Sequence, residues 1–61
     1  MSSTYYYVAV RKYNGKESYD YETMALRAID ARDKAIEKNA RHLNLPPFVR
    51  IAEVKIVEVK Q

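Results

Sequence analysis

Cysteine is absent from the 61 residues, and Gly15 is the only glycine. The absence of cysteine excludes disulfides and thiolate metal ligands and fits a reducing compartment. One glycine excludes a glycine-rich phosphate-binding loop. No apolar run approaches the roughly 20 residues that cross a bilayer, and residues 1–4 lack the basic and apolar regions of a secretory signal. We therefore expect a soluble, intracellular protein in the cytoplasm, which would be the host cytoplasm if the gene is viral.

Little else in the composition is extreme. Eleven Lys and Arg against eight Asp and Glu give a net charge of +3, which permits an acidic or nucleic-acid partner without requiring one. A chain of this length is expected to form a single domain over residues 1–61 and to bury only about 60% of its unfolded surface. A thin core without disulfides favours self-association.

The dipeptide Asn14-Gly15 predicts a β-hairpin, because these residues readily adopt the positive φ values of a type I′ turn. Residues 4–10 are rich in aromatic and β-branched residues and carry no charge, which is typical of a central strand. A two-residue loop sets Tyr13 opposite Lys16 and fixes the register from there.

That register sorts the six tyrosines between two faces of the sheet, because alternate strand residues point to opposite faces. One face is predicted to pack on a helix: Tyr6, Val8, Val10, Tyr19 and Tyr21. The other carries tyrosines predicted to point away from the helix: Tyr5, Tyr7 and Tyr13. Exposed tyrosines can stack on bases or pack on protein. Asp20 and Glu22 beside them would repel a nucleic-acid backbone, so a protein partner is favoured.

The segment from Thr23 to Leu43 is rich in strong helix formers and contains neither glycine nor proline, which predicts one long helix. An alternative extends the second strand to about Arg27 and makes Asp30 the N-cap. At about 100° per residue, five apolar side chains share a stripe that is predicted to pack on the sheet: Ala25, Ile29, Ile36, Ala40 and Leu43.

Pro46 and Pro47 end the helical segment. Residues 48–59 are rich in Val and Ile, which predicts a third strand. Because the helix crosses back over the sheet, the third strand lies most simply beside the first. The predicted fold is therefore α+β, in the order β-β-α-β, with a three-stranded antiparallel sheet (order 2-1-3) and one long helix packed on one face.

No residue pattern indicates catalysis, a cofactor or a metal. His42, the only histidine, lies near the predicted helix end, where the helix dipole favours a capping role, and no nucleophile or orienting partner accompanies it. Three helix carboxylates have no second cluster of ligands and are expected to form ion pairs: Asp30, Asp33 and Glu37. We expect a non-enzymatic protein without a cofactor, a metal or a small-molecule substrate.

One basic feature has regular spacing, a stripe predicted to face water opposite the apolar stripe: Arg27, Lys34, Lys38 and Arg41. Contact with phosphates would make its binding steeply dependent on salt. The three helix acids lie close beside it and favour an ordinary solvated surface.

Two functions follow from these features. The first is a protein-interaction module, a homodimer that binds and modulates a macromolecular partner. The second is a small basic RNA- or DNA-binding protein that uses the basic stripe or the exposed tyrosines. In the first, two copies pair through the third strand, because uncovered apolar edge strands are prone to pairing, or through the tyrosine face. The expected interface residues are Tyr5, Tyr7, Tyr13, Val49, Ile51, Val57 and Val59.

In length and β-β-α-β order the chain resembles the small inhibitors that bacteriophages use against host proteins, which implies a phage-type inhibitor. The helix followed by a basic, β-branched strand is also similar to a small archaeal ribosomal protein. Neither resemblance rests on a motif, so no functional residue is carried over.

Overall fold

The computed structural model describes the backbone of residues 2–58 and the side chains of residues 4–56. Its elements are β1 (Ser2–Tyr13), β2 (Lys16–Ala25), α1 (Ala28–Arg41) and β3 (Phe48–Glu58). The three strands are antiparallel and lie in the order β2-β1-β3. The predicted α+β fold and strand order are confirmed.

The hairpin turn forms at Asn14-Gly15, whose φ values are 50° and 81°. Both residues are in the left-handed region, where glycine and asparagine carry the smallest steric penalty. The five pairs nearest the turn have the predicted register, from Tyr13–Lys16 to Ala9–Asp20. The turn therefore fixes which β1 and β2 residues share a face.

A bulge in β2 ends this register beyond Ala9, and Tyr7 pairs with Ala25. The buried hydroxyl of Thr23 fills the gap: it accepts a hydrogen bond from the Ala9 backbone N–H at 2.7 Å and donates to the carbonyl of Asp20 at 2.7 Å. The pairs predicted beyond Ala9 are wrong, because a side chain replaces the main-chain partners that regular pairing would have supplied.

Helix α1 is shorter than predicted. It begins at Ala28 after the N-cap Arg27, whereas the prediction placed its start near Thr23. The alternative prediction, with a longer second strand, is closer to the observed helix start, although Asp30 is not the N-cap. His42 is the C-cap, and its backbone N–H donates to the carbonyl of Lys38 at 2.9 Å.

The helix covers the sheet face opposite to the predicted one. Arg11 Nη1 donates to Asn39 Oδ1 at 2.7 Å, and Lys38 Nζ donates to Asp20 Oδ2 at 2.9 Å. Ala9 shares this face, because it pairs with Asp20 and alternates with Val8 and Val10. Three alanines are fully buried: Ala9, Ala31 and Ala35. Such small side chains allow the helix to approach the sheet closely.

The other face holds the apolar core. Val8, Val10 and Ala52 are buried there, with Met24 and Val54 packed against them. Since Ala9 and Arg11 are buried on the helix side, β1 is covered on both faces, which explains its uncharged stretch. The prediction that Tyr19 and Tyr21 are core residues is wrong. Both are exposed, with their rings edge to face and 6.1 Å between centroids.

Candidate protein interface

The predicted packing stripe of the helix lies on the side away from the sheet. Ile29 is 58% exposed, Ile36 is 49% exposed and Leu43, just beyond the C-cap, is 88% exposed. Ala40 is exposed between them. The prediction that these residues pack on the sheet is therefore wrong. We call Ile29, Ile36 and Ala40, which share one face of α1, the outer stripe. Leu43 lies in the turn that follows the helix.

The orientation has a physical cause in Arg11, whose side chain is fully buried. A buried charge must be paired and hydrogen-bonded. The polar side of the helix supplies Asn39, and the loop after it supplies the carbonyl of Pro46, which accepts from Arg11 Nη1 at 2.6 Å. Turning the outer stripe toward the sheet would remove Asn39 from the guanidinium.

Asp20 completes this buried network. Arg11 Nε donates to Asp20 Oδ2 at 2.9 Å, and Lys38 reaches the same carboxylate from the helix. Burial alone would raise the pKa of Asp20, but the hydrogen bonds from Lys38 and Arg11 outweigh burial and hold that pKa below its usual value. Arg11 Nη2 is buried without a hydrogen-bond partner among the described residues. The network joins β1, β2, the helix and its following loop.

Arg11 is not among the residues predicted from the sequence, although the sequence contains a signal for it. The hairpin register placed Ala9–Asp20 and Arg11–Ser18 side by side on one face, so Arg11 and Asp20 were diagonal neighbours of opposite charge. The tyrosines of that face were predicted to point away from the helix. Assigning Arg11 and Asp20 as a buried ion pair would have predicted that the helix covers this face of the sheet.

The basic stripe of the helix is largely paired within the chain. Lys38 forms ion pairs with Glu22 and Asp20, which raise the pKa of Lys38. The other members bind nearby groups: Arg27 pairs with Asp30 at 2.9 Å, Arg41 pairs with Glu37 at 3.2 Å, and Lys34 Nζ donates to the carbonyl of Met24 at 2.9 Å. Lys38 lies against the sheet, which differs from the prediction that the stripe faces water.

Two helix charges stand apart from this pattern. Arg32 and Asp33 are exposed, and neither takes part in a hydrogen bond or ion pair within the described part of the chain. They flank the outer stripe on opposite sides, because each lies about 50° around the helix from the mean direction of Ile29 and Ile36. The exposed aliphatic surface therefore has one unpaired cation and one unpaired anion at its borders.

The three tyrosines predicted to form an interface share the helix side of the sheet by strand alternation, so the prediction that they point away from the helix is wrong. Tyr7 is half-buried, and its hydroxyl donates to Glu53 Oε2 at 3.0 Å, which raises the pKa of Tyr7. Tyr5 is exposed, with Lys55 Nζ 5.9 Å from its ring centroid. Tyr13 is also exposed but lies at the far end of β1, about 20 Å from Tyr7 along the strand.

The predicted edge-strand interface is present only in part among the described residues. β3 is an edge strand of the sheet, with Val49 exposed and Ile51 half-buried. The side chain of Val57 and the whole of Val59 lie outside the described residues. Pairing of two copies through β3 stays a prediction.

No protein-family model, curated protein or solved structure matches this chain. Among the described side chains, those of residues 4–56, no three histidine or carboxylate groups lie together so that they could hold a metal ion. No helix in the same range is both long enough and apolar enough to cross a membrane.

Proposed function

We propose that this chain is a small non-enzymatic protein-interaction module that binds a macromolecular partner through the outer stripe of α1. The observation that carries the proposal is the exposure of Ile29, Ile36 and Ala40 on one face of α1. Single exposed aliphatic side chains are common, but a group of them on one helix face is typical of a binding surface.

The shape of this surface fits a helix or groove of another protein. α1 has 14 residues, so it is about 21 Å long and presents its aliphatic groups at helical spacing. Complete burial of an Ile or Leu contributes about 1.5–3 kcal/mol, and these side chains keep roughly half or more of their surface for a partner. If the chain is a phage-type inhibitor, the partner of this surface is a host protein.

Nucleic-acid binding, the alternative, has weaker support. Each basic residue of the predicted stripe already contacts a carboxylate or a carbonyl within the chain. A phosphate would have to displace these partners. We expect no binding to mixed RNA or DNA at about 50 mM salt, the condition that favours electrostatic association.

The test is affinity capture from a lysate of the organism that carries the gene. Three baits are compared: the unmodified chain, an outer-stripe variant (Ile29→Gln and Ile36→Gln) and a matched control (Arg27→Gln and Arg41→Gln). All four positions are exposed. We expect the unmodified chain and the control to retain the same proteins and the outer-stripe variant to lose them. Capture that survives the outer-stripe substitutions, or that disappears with the control, contradicts the proposal.

A further inference from the structure

We infer that the outer stripe binds a second copy of this chain, with the two α1 helices packed side by side and parallel. This inference rests on the proposed function, because it names the partner of the same surface. The resulting dimer has four layers: sheet, helix, helix and sheet. It differs from the edge-strand and tyrosine-face dimers that the sequence suggested.

The first argument is the spacing of the apolar residues. Ile29 and Ile36 are seven residues apart, and Ala40 follows four residues later. Steps of seven and four residues keep these three side chains on one helix face, as in a coiled-coil seam, and the position between the two isoleucines is occupied by Arg32 and Asp33. Ala40 is small, so the two backbones can approach closely at the C-terminal half of the seam.

The second argument is charge complementarity at the borders of the seam. Arg32 lies on one side of the line through Ile29 and Ile36, and Asp33 lies on the other side at almost the same height. Residues one apart on a helix do not face each other, so these two charges do not neutralise each other within one chain. All the other charged side chains between residues 27 and 41 have a partner in their own chain within the described structure.

The arrangement of the charges selects the orientation. A two-fold axis parallel to the helices brings opposite borders together, so Arg32 of each copy faces Asp33 of the other. In an antiparallel pair, the same border of each helix faces the other copy. The border that carries Asp33, with Asp30 and Glu37 further out, would then face the acidic border of the second copy. Like charges in register are destabilising. The parallel dimer forms two ion pairs, whereas the antiparallel one forms none.

The expected dimer is weak. Two helices about 21 Å long bury an interface below the roughly 1,200 Å² that separates transient contacts from stable ones. Association therefore depends on concentration, and we expect it in sedimentation equilibrium between about 10 µM and about 1 mM.

Charge reversal tests the pairing of Arg32 with Asp33. The variants are Arg32→Asp, Asp33→Arg and the double variant with both changes. Each single variant places like charges at both contacts, so we expect its dimer dissociation constant to rise about tenfold. The double variant restores opposite charges and should return to the wild-type constant. A double variant as weak as the single ones overturns the inference. Both positions are exposed, and circular dichroism confirms folding of each variant.

Cross-linking tests the parallel orientation, and the absence of cysteine removes any background. In the parallel dimer, Ile29→Cys lies beside its own copy, within the Cα separation of about 4.4–6.8 Å that a disulfide requires. We expect oxidation to link Ile29→Cys and to leave Lys16→Cys, at the distant hairpin, monomeric. Efficient linking only between Ile29→Cys and Ile36→Cys chains would show the antiparallel pair and overturn the inference.

These outcomes separate the dimer from the proposed function. A wild-type chain that stays monomeric to about 1 mM overturns the dimer. The proposed function fails on a different result, namely capture of the same proteins by the outer-stripe variant.

Discussion

The two sides of α1 reverse the usual distribution of side chains on a surface helix. The side against the sheet has two alanines, Asn39, which accepts a hydrogen bond from the buried Arg11, and Lys38, which donates to Asp20. The opposite side carries Ile29 and Ile36 in contact with solvent. Amphipathic helices normally turn their apolar stripe to the core. Here the stripe is exposed to solvent, and a polar network holds the helix on the sheet.

The largest expected loss of stability comes from disrupting the polar network between the helix and the sheet. Arg11→Met removes the guanidinium that joins Asp20, Asn39 and the carbonyl of Pro46. Removing one member of a buried ion pair costs about 3–5 kcal/mol. The total free energy of unfolding expected for a chain of 61 residues is about 3–9 kcal/mol, so this loss is a large share of it. Urea unfolding measures the loss.

The matched control for that substitution is Arg32→Met, an exposed arginine on the same molecule. Measured at a concentration where the chain is monomeric, it should change the free energy of unfolding by no more than about 0.5 kcal/mol. Equal losses for the two variants would show that Arg11 has no special structural role.

A smaller effect separates the two apolar surfaces of the helix. Ala35 is fully buried, so Ala35→Leu should overpack the contact with the sheet and cost about 1–3 kcal/mol of unfolding free energy. Ile36→Gln, one residue further along, should change the stability of the monomer by less than about 0.5 kcal/mol. Thermal or urea denaturation of both variants at low concentration checks the contrast.

The opposite result would identify Ile36 as a core residue. That is what the periodicity of the sequence predicts and what the structure does not have. A large loss of stability in Ile36→Gln together with a neutral Ala35→Leu would contradict the orientation of the helix.

A structural feature can be predicted from the sequence when the interactions that determine it act between residues close together in the chain. The hairpin and the strand order follow from Asn14-Gly15 and from uncharged β-branched segments, which act over a few residues. The bulge depends on Thr23 replacing main-chain partners of Ala9, and no propensity scale contains that. Helical periodicity groups Ile29, Ile36 and Ala40 on one face of α1, whereas Ala25 and Leu43 of the predicted stripe lie outside the helix. Periodicity does not say whether that face meets the sheet. That choice is set by the pairing of Arg11 across the fold.

The smallest effect concerns the pH dependence of the polar side. The folded-state pKa of Asp20 is held below its usual value, so its stabilisation is complete above its unfolded pKa, about 3.9, and is lost as the pH falls through the folded value. We expect the urea midpoint of the wild type to decline below about pH 4. Asp20→Asn should be less stable at neutral pH and should show a shallower acid decline. An unchanged acid decline in Asp20→Asn would contradict the role assigned to this carboxylate.

Sedimentation equilibrium of the wild type and Ile36→Gln, from about 10 µM to about 1 mM, tests the outer stripe as a contact between copies most directly. We predict that the wild-type mass rises with concentration from the 7.2 kDa of one chain toward twice that value, while Ile36→Gln remains monomeric throughout. A wild-type chain that stays at the monomer mass, or an Ile36→Gln variant that associates equally well, would contradict this account.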